Sequence, residues 1–152
     1  MKILVQESDF DPGAEIAALH AGRPKVGAVA SFVGLVRDHS EGERVTTLTL
    51  EHYPAMTEKS LREIVEQAMG RWDLLDVTVI HRIGRLMPQD RIVFVGVASM
   101  HRGDAFAACE FVMDYLKTRA PFWKKEGTPE GDRWVEARSS DDVAADRWED
   151  KR

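Results

Sequence analysis

Residues 117–126, with the sequence KTRAPFWKKE, mark the point where a helix gives way to a strand. Pro121 disfavours helical backbone at the residue before it, so the helix is predicted to end there. The helix macrodipole favours a cation in the last turn, which accounts for Lys117. Lys124 and Lys125 come after the helix and need another reason. The chain has a net charge of −5, so a cluster of cations is unusual in it. The cluster indicates a pocket for an anionic ligand, with at least one lysine available for chemistry. The alternative interpretation is a solvated helix end.

The chain just before this junction is predicted to pack a helix against a buried strand. Gly103-Asp104 begins the helix, which runs to about Arg119. Its apolar stripe consists of Phe106, Cys109, Met113 and Leu116. The preceding segment, Arg91–Met100, is almost continuously apolar, which is typical of a central strand covered on both faces.

The remaining segments alternate between strands and helices without a regular βαβ repeat. Strands are predicted at Ile3–Gln6, Val26–Val36, Val45–Tyr53, Leu75–Ile83, Phe122–Lys125 and Arg133–Ala137, and helices from Asp11-Pro12 to His20 and from Pro54 to Trp72. This order predicts an α+β fold, with one domain over residues 1–138 and helices packed on a mixed or antiparallel sheet. Asp38–Arg44 is predicted to be a mobile polar loop. Residues 139–152 are predicted to be a charged C-terminal tail, either a marginal helix or a frayed end.

Composition excludes several classes of function. The net charge of −5 argues against a nucleic-acid or membrane-surface partner, which would need a broad basic face. No apolar run reaches the roughly 18 residues of a membrane span, and no signal peptide is evident. The single cysteine excludes an internal disulfide and a paired-cysteine metal motif. A cytoplasmic protein is the default expectation.

Further cations stand at the ends of predicted strands. His101-Arg102 lies between the central strand and the start of the next helix, where free N–H groups attract anions. Arg37 ends a long strand, just before the polar loop, where it can reach a phosphate or carboxylate. The alternative for each is a solvated strand-end residue. His81-Arg82 is interpreted as a packed or surface pair outside the site.

Lysine is the reactive side chain that the sequence offers. The five histidines show no metal-ligand spacing, and no Gly-rich phosphate loop or Gly-x-Ser-x-Gly elbow occurs. Cys109 falls on an apolar helix stripe and is predicted to be inert packing. A lysine crowded by other cations is favoured in its neutral form, which can act as base or nucleophile. No metal and no cofactor are predicted.

Six blocks of sequence resemble those of the MoaE family, the large catalytic subunit of molybdopterin synthase. They are residues 31–37 (SFVGLVR), 50–56 (LEHYPAM), 81–84 (HRIG), 101–106 (HRGDAF), 116–126 (LKTRAPFWKKE) and 131–138 (GDRWVEAR). The resemblance runs in order along nearly the whole chain. It implies an α/β hammerhead type of fold.

The resemblance also implies a reaction and an assembly. Enzymes of this family insert sulfur into cyclic pyranopterin monophosphate (precursor Z) to give the dithiolene of molybdopterin. The sulfur arrives as a thiocarboxylate on the Gly-Gly tail of a small ubiquitin-like subunit of the MoaD type. A homodimer of large subunits carries a small subunit at each end, which makes a heterotetramer. Arg138 matches an arginine that reaches the neighbouring large subunit's pocket.

By the same resemblance, Lys117 and Lys124 match the family's essential lysines. Lys117 would be the reactive amine, either as a base or as acceptor of the partner's acyl end. Lys124 would orient the pterin or stabilise developing negative charge.

The remaining matched residues would bind substrate. Arg37, His101 and Arg102 would hold its anionic parts, and in particular its phosphate end. Lys125 and Glu126 match the family's substrate-contacting segment.

Two other functions stay open at this point. The first is a non-enzymatic module that binds a ubiquitin-like tail in a basic cleft. The second is an unrelated phosphate-ester enzyme, which would be expected to need Mg²⁺ and a carboxylate cluster that the sequence does not show. Detection of a dithiolene product would separate both from the synthase.

Overall fold

The computed structural model describes residues 1–135 and 139–149, which form ten strands and four helices. In chain order they are β1 Lys2–Gln6, α1 Pro12–His20, β2 Ala28–Leu35, β3 His39–Ser40, β4 Glu43–Arg44, β5 Thr47–His52, α2 Pro54–Arg71, β6 Leu74–Arg82, β7 Gly84–Leu86, β8 Arg91–Ser99, α3 Arg102–Arg119, β9 Phe122–Thr128, β10 Gly131–Val135 and α4 Ser139–Asp146. The predicted α+β class is confirmed. None of the helices in this described part is both long and apolar enough to span a membrane.

The first sheet has the strand order β1-β6-β8-β2 and is mixed, because β1 runs parallel to β6 while the other pairs are antiparallel. Every residue of β8 from Val93 to Ser99 is buried, which confirms the predicted central strand. Val95 faces the core formed with α2 and α3, and Phe94 faces the smaller core under α1. Gly96 permits the close approach of α1, since a Cβ there would lie 2.6 Å from Cδ1 of Leu19.

The second sheet is antiparallel, with the order β10-β9-β5-β7. Its inner face packs on a separate small core of Val36, Leu48, Leu50 and Leu86. The sequence predicted the adjacent strands but not their division into two sheets. The two-residue period of a strand predicts which face of the sheet each side chain lies on, but it does not predict which strands pair with each other.

The segment 38–44 differs from its prediction as a mobile loop. It contains the hairpin of β3 and β4, turned by Glu41 and Gly42 at positive φ. Arg133 anchors this hairpin to β10, donating to Oε2 of Glu43 at 2.7 Å and to the carbonyl of Ser40 at 3.2 Å. The anchoring arginine lies about 90 residues away in sequence, beyond the reach of local pattern.

The segment predicted as a charged tail, residues 139–152, is helical over α4. Trp148 beyond the helix is buried in the main core, with its ring edge-on to Trp72 and Phe111. Its Nε1 donates to Oδ2 of Asp114 at 2.6 Å, and Arg147 donates to the same oxygen at 2.8 Å. The C-terminal helix is thus held on α3 by both apolar burial and charge.

Replacing Trp148 by alanine is expected to destabilise the whole domain. Loss of a buried tryptophan lowers the free energy of unfolding by about 3 kcal/mol or more, because a cavity adds to the lost transfer energy. For a chain of this size, that corresponds to a fall in Tm of roughly 6–12 °C. Thermal unfolding followed by circular dichroism measures it. Trp134→Ala, at a side chain that is 58% exposed, is the control, and an equal fall for both variants would contradict the assignment.

Candidate functional site

The candidate site lies where the C-terminal end of α3, the inner face of β9 and the end of β2 meet. Two adjoining chambers occupy this junction. The Glu126 chamber has a volume of about 250 Å³, and the His81 chamber has a volume of about 430 Å³. They share the lining residues Leu35, Arg37, Ile92, Lys117, Phe122 and Lys124.

Local geometry brings the two predicted lysines into both chambers. Lys117 stands in the last turn of α3, which ends at Arg119 as Pro121 predicted. Ala120 takes an extended conformation, with φ −80° and ψ 131°, and turns the chain into β9. Alternation along β9 then places Phe122 and Lys124 on the chamber side. Two lysines seven positions apart therefore face one cavity.

Arg37 supplies a third cation from the other wall. It follows β2, whose pairing with β8 shifts register between Gly34 and Leu35, and it lines both chambers. The structure thus places Arg37 beside Lys117 and Lys124, as the sequence analysis expected. The roles of these three residues stay predictions.

Glu126 also lines the cavity, but its charge is already paired. Its side chain is buried, and Nη2 of Arg133 lies 3.4 Å from its Oε1. Lys125 differs. Alternation turns it to the outer face of the sheet, where its Nζ lies 5.6 Å from the ring centre of Trp134, and it lines neither chamber. Of this predicted substrate-contacting pair, only Glu126 is in the cavity of one protomer.

His101 and Arg102 are not brought into the cavity of their own chain. They form the N-cap and first residue of α3, whereas Lys117 is in its last turn. A rise of 1.5 Å per residue separates the two ends of this helix by roughly 25 Å. Within one chain, the structure therefore does not bring His101 and Arg102 together with Arg37, and their predicted role in binding the anionic parts of the substrate stays a prediction. Arg138, the remaining predicted site residue, lies outside the described residues.

The sequence analysis missed His81, which it placed outside the site. The residue is the second-last of β6, is almost completely buried and lines the His81 chamber. Burial lowers its pKa to about 3; its hydrogen bond to the carbonyl of Arg82 opposes this shift, and the nearby charges of Lys124 and Lys117 add to it. The ring is thus neutral at physiological pH. A polar residue directly after the buried run 77–80 was the available signal.

Cys109 is buried on α3, as predicted, and lines neither chamber. Burial raises the pKa of its thiol to about 11, with a further contribution from the charge of Glu110. The thiolate is the reactive form of cysteine, so this environment suppresses its chemistry. In the described part of the chain, no group of three or more His, Cys, Asp or Glu side chains could hold a metal ion.

These features define a class of protein before any comparison. It is an α+β domain whose cavity gathers two lysines and an arginine, together with the ion-paired Glu126, Asp141, His39 and the neutral ring of His81. Such a cavity suits an anionic substrate, and its lysines can act as base or nucleophile once deprotonated.

Comparison with known proteins gives the family. The profile of the MoaE protein family matches residues 5–119, and the chain belongs to this family. It is 66% identical to the molybdopterin synthase catalytic subunit of Ralstonia nicotianae, over 96% of this chain and 83% of that one. It is 63% identical to the Escherichia coli protein of the same description, over 97% of both chains. The molybdopterin biosynthesis MoaE protein from Burkholderia ambifaria superposes with a TM-score of 0.83 at 59% identity, covering 97% of each chain.

Three expectations are confirmed by these matches. They are the membership of the MoaE family, the fold that such proteins share, and the function of a molybdopterin synthase catalytic subunit, which is an enzyme.

The environment of Cys109 generates a labelling prediction. At pH 8 a thiol of pKa about 11 is deprotonated in only about one molecule in a thousand, so Ellman's reagent is expected to react with the folded protein at least 100-fold more slowly than with the urea-unfolded chain. Time-resolved absorbance measures the rate. Raising the pH should speed the folded reaction, because thiolate accumulates. Cys109→Ala is the blank, and equally fast labelling of folded and unfolded protein would overturn this account.

Proposed function

We propose that this chain transfers sulfur from the thiocarboxylated C-terminus of a small ubiquitin-like subunit to precursor Z, forming the molybdopterin dithiolene. The observation that carries the proposal is the convergence of Lys117, Lys124 and Arg37 on one cavity. No cofactor is needed, since the sulfur is delivered already activated as an acyl derivative. The expected compartment is the cytoplasm.

The anionic end of the substrate is held by cations. A phosphate accepts several hydrogen bonds, and a guanidinium offers two parallel donors to its oxygens. Arg37 is placed at the cavity wall for this contact. The ion pair with Arg133 offsets part of the repulsion between Glu126 and the substrate.

The deprotonated amine of Lys117 acts at the acyl carbon of the partner's C-terminal tail. The thiocarboxylate sulfur adds to a substrate carbon that bears oxygen, the carbon–oxygen bond breaks and the oxygen leaves as water, so that a thioester links partner and pterin. Lys117 then attacks the thioester carbonyl, the bond from the acyl carbon to sulfur breaks, and the sulfur stays on the pterin as a thiolate. The acyl group is held on Lys117 as an amide until water releases it. Alternatively, Lys117 takes a proton from a water that attacks the same carbonyl. Lys124 stabilises the oxyanion that forms in either route.

The sulfur donor must be a partner protein. The one cysteine of this chain is buried, away from the cavity, with a thiol that resists ionisation. The relatives are described as catalytic subunits, which fits the existence of a second subunit that carries the sulfur.

The homodimer is supported by the edge of the first sheet. β2 is its last strand, has eight residues and carries no charged side chain. Phe32 and Leu35 on it are exposed. Proteins usually protect long apolar edges of this kind, because unpaired strand groups invite association. We infer that a second copy covers this edge, within a heterotetramer.

Antiparallel pairing of two β2 strands would also bring the distant cations into the site. Ala28 lies beside Ser99, close to His101, whereas Leu35 leads to Arg37 and the cavity. A two-fold axis at the middle of β2 places the start of one strand beside the end of the other. The partner subunit's His101 and the partner subunit's Arg102 then approach the cavity that lacks them. Arg138 is proposed to cross the interface in the same way.

Substitution of Lys117 tests the reactive amine. Lys117→Ala is expected to lower the rate of dithiolene formation by roughly 100-fold or more, the usual contribution of a catalytic acid–base group. Lys117→Arg should not rescue it, because a guanidinium stays protonated. The assay combines precursor Z with thiocarboxylated small subunit and detects the dithiolene. Lys59→Ala, at an exposed lysine of α2, is the matched control, and near-normal turnover of Lys117→Ala would remove Lys117 from the chemistry.

Mixing two damaged chains tests the shared site. A Lys117→Ala chain and an Arg102→Ala chain are each expected to be nearly inactive alone. Their heterodimer has one cavity with both residues intact and one with neither, so random exchange of subunits in a symmetric dimer should restore about a quarter of wild-type activity. Subunit exchange is verified by native mass spectrometry with one tagged chain. Full activity of Arg102→Ala alone, or verified heterodimers without recovery, would show that each subunit works by itself.

A further inference from the structure

His81 lines the reaction cavity but has no part in the chemistry proposed above. It is almost completely buried in the first sheet and stands on the wall of the His81 chamber. Among the described residues it is the only buried histidine. Burying an imidazole costs free energy unless its ring nitrogens find hydrogen-bond partners. The partners of these two nitrogens therefore indicate what the residue does.

The carbonyl of Arg82 fixes the tautomer of the ring. Nδ1 of His81 lies 2.8 Å from this carbonyl oxygen. A carbonyl can only accept a hydrogen bond, so Nδ1 carries the proton. Burial lowers the pKa of His81 to about 3, so the ring takes up no second proton at neutral pH. Nε2 is therefore left with a lone pair and can only accept.

The other ring nitrogen, Nε2, finds no hydrogen-bond partner among the described residues. In this part of the chain, the only side-chain nitrogen or oxygen that is both sealed from solvent and without a partner is Nη1 of Arg71. Since Nε2 of His81 also lacks a partner, it must keep access to open space. The open space that His81 lines is the His81 chamber. The structure thus presents an unused acceptor at the chamber wall.

Nε2 is also the one neutral side-chain acceptor on the described wall of this chamber. The other polar side chains that line it are Arg37, Lys117 and Lys124, and in their charged forms all three only donate. The remaining lining residues are apolar or glycine. The side chains of the chamber therefore offer cations to an anionic group and a single acceptor to an N–H group.

Aromatic stacking holds the acceptor at a defined angle. The rings of His81 and Phe122 lie 3.8 Å apart between centres and 16° from parallel. His52 stacks on Phe122 at 6.5 Å and 21°. This column joins β6, β9 and β5, and thus ties the two sheets together beside the cavity. An acceptor whose direction is already set loses little freedom when a ligand binds, which favours binding.

The ring system of precursor Z supplies matching donors at one end. Its pyrimidine portion carries N–H groups and an exocyclic amino group, whereas its phosphate lies at the opposite end of the fused rings. A donor that enters a cavity without meeting an acceptor forfeits its hydrogen bonds to water. The His81 chamber, at about 430 Å³, falls within the roughly 300–1,000 Å³ typical of small-molecule sites, so it has room for such a ring.

We propose that Nε2 of His81 accepts a hydrogen bond from an N–H group of the pterin ring, which makes His81 a specificity-determining residue of the site. This inference rests on the proposed function for the identity of the substrate. It places the nitrogen-rich end of the ring in the His81 chamber and leaves the phosphate to the cations. A ligand that presents an acceptor at the same point meets a second lone pair, so the site rejects it.

Binding of precursor Z without the small subunit tests this contact apart from sulfur transfer, because no sulfur donor is present. Isothermal titration calorimetry gives the Kd. His81→Phe keeps an aromatic ring on Phe122 but removes the acceptor, and it is expected to raise the Kd on the order of tenfold. His81→Gln carries an amide oxygen that can accept in place of Nε2, and its Kd should stay within about threefold of wild type. His20→Phe, at the exposed end of α1, is the matched control.

Nitrogen-15 NMR of the unaltered protein tests the same contact without a substitution. Long-range proton–nitrogen spectra of histidine-labelled protein should show His81 as the neutral Nδ1–H tautomer before any ligand is added. Precursor Z should move the Nε2 resonance to lower frequency, the direction expected when an unprotonated imidazole nitrogen accepts a hydrogen bond. Sulfate, which carries no donor at neutral pH, should move it less. A protonated Nε2, or an unmoved resonance with precursor Z bound, would overturn the proposal.

Turnover separates a binding role from packing. His81→Phe should raise the KM for precursor Z about as much as the Kd and leave kcat within about threefold, because the contact is made equally before and during reaction. Equal Kd values for the Phe and Gln variants would show that His81 acts only through packing. An increase in Kd that tracks the fall in Tm across the variants would have the same meaning.

Failure of this proposal and failure of the proposed function give different results. Dithiolene formation by a protein whose His81 resonance ignores bound precursor Z would overturn the contact alone. The expected shift in a protein that makes no dithiolene would contradict the proposed function and leave the contact standing. A wild-type protein that does not bind precursor Z at all would overturn both.

Discussion

The reversal of the chain at Ala120 and Pro121 is the constraint on which the site depends. It ends α3 while Lys117 still faces the cavity, and it starts β9 in the register that turns Lys124 to the same side. A helix continued by one more turn would rotate the following lysines away from the cavity. The restriction that Pro121 places on the backbone of Ala120 therefore determines which lysine amines face the same cavity.

The acidic chain keeps its site cationic by pairing carboxylates elsewhere. Glu126, the buried carboxylate of the cavity, is ion-paired with Arg133, which also bonds Glu43 in the hairpin of β3 and β4. Asp114 on α3 is bonded to Arg147 and Trp148 of the C-terminal segment. The pairing of these acids limits how far they offset the positive charges of Lys117, Lys124 and Arg37 that line the cavity.

The two sheets are joined at the site by rings rather than by strand pairing. The stack of His81, Phe122 and His52 crosses from β6 to β9 and β5. His81 and Phe122 line the chambers, where flexible aliphatic contacts would leave the lysines less well oriented. A rigid aromatic column therefore serves both the packing of the domain and the precision of the site.

The sequence by itself determined the local elements: the stop at Pro121, the buried strand β8, the amphipathic α2 and the cation cluster around Lys117 and Lys124. Each depends on neighbours a few residues away, and motif order was enough to give the family. Only the tertiary structure decided the split into two sheets, the inclusion of His81 and the position of Arg102 at the opposite end of α3 from Lys117. These follow from which strands pair and which way α3 runs, and periodicity carries no information on either.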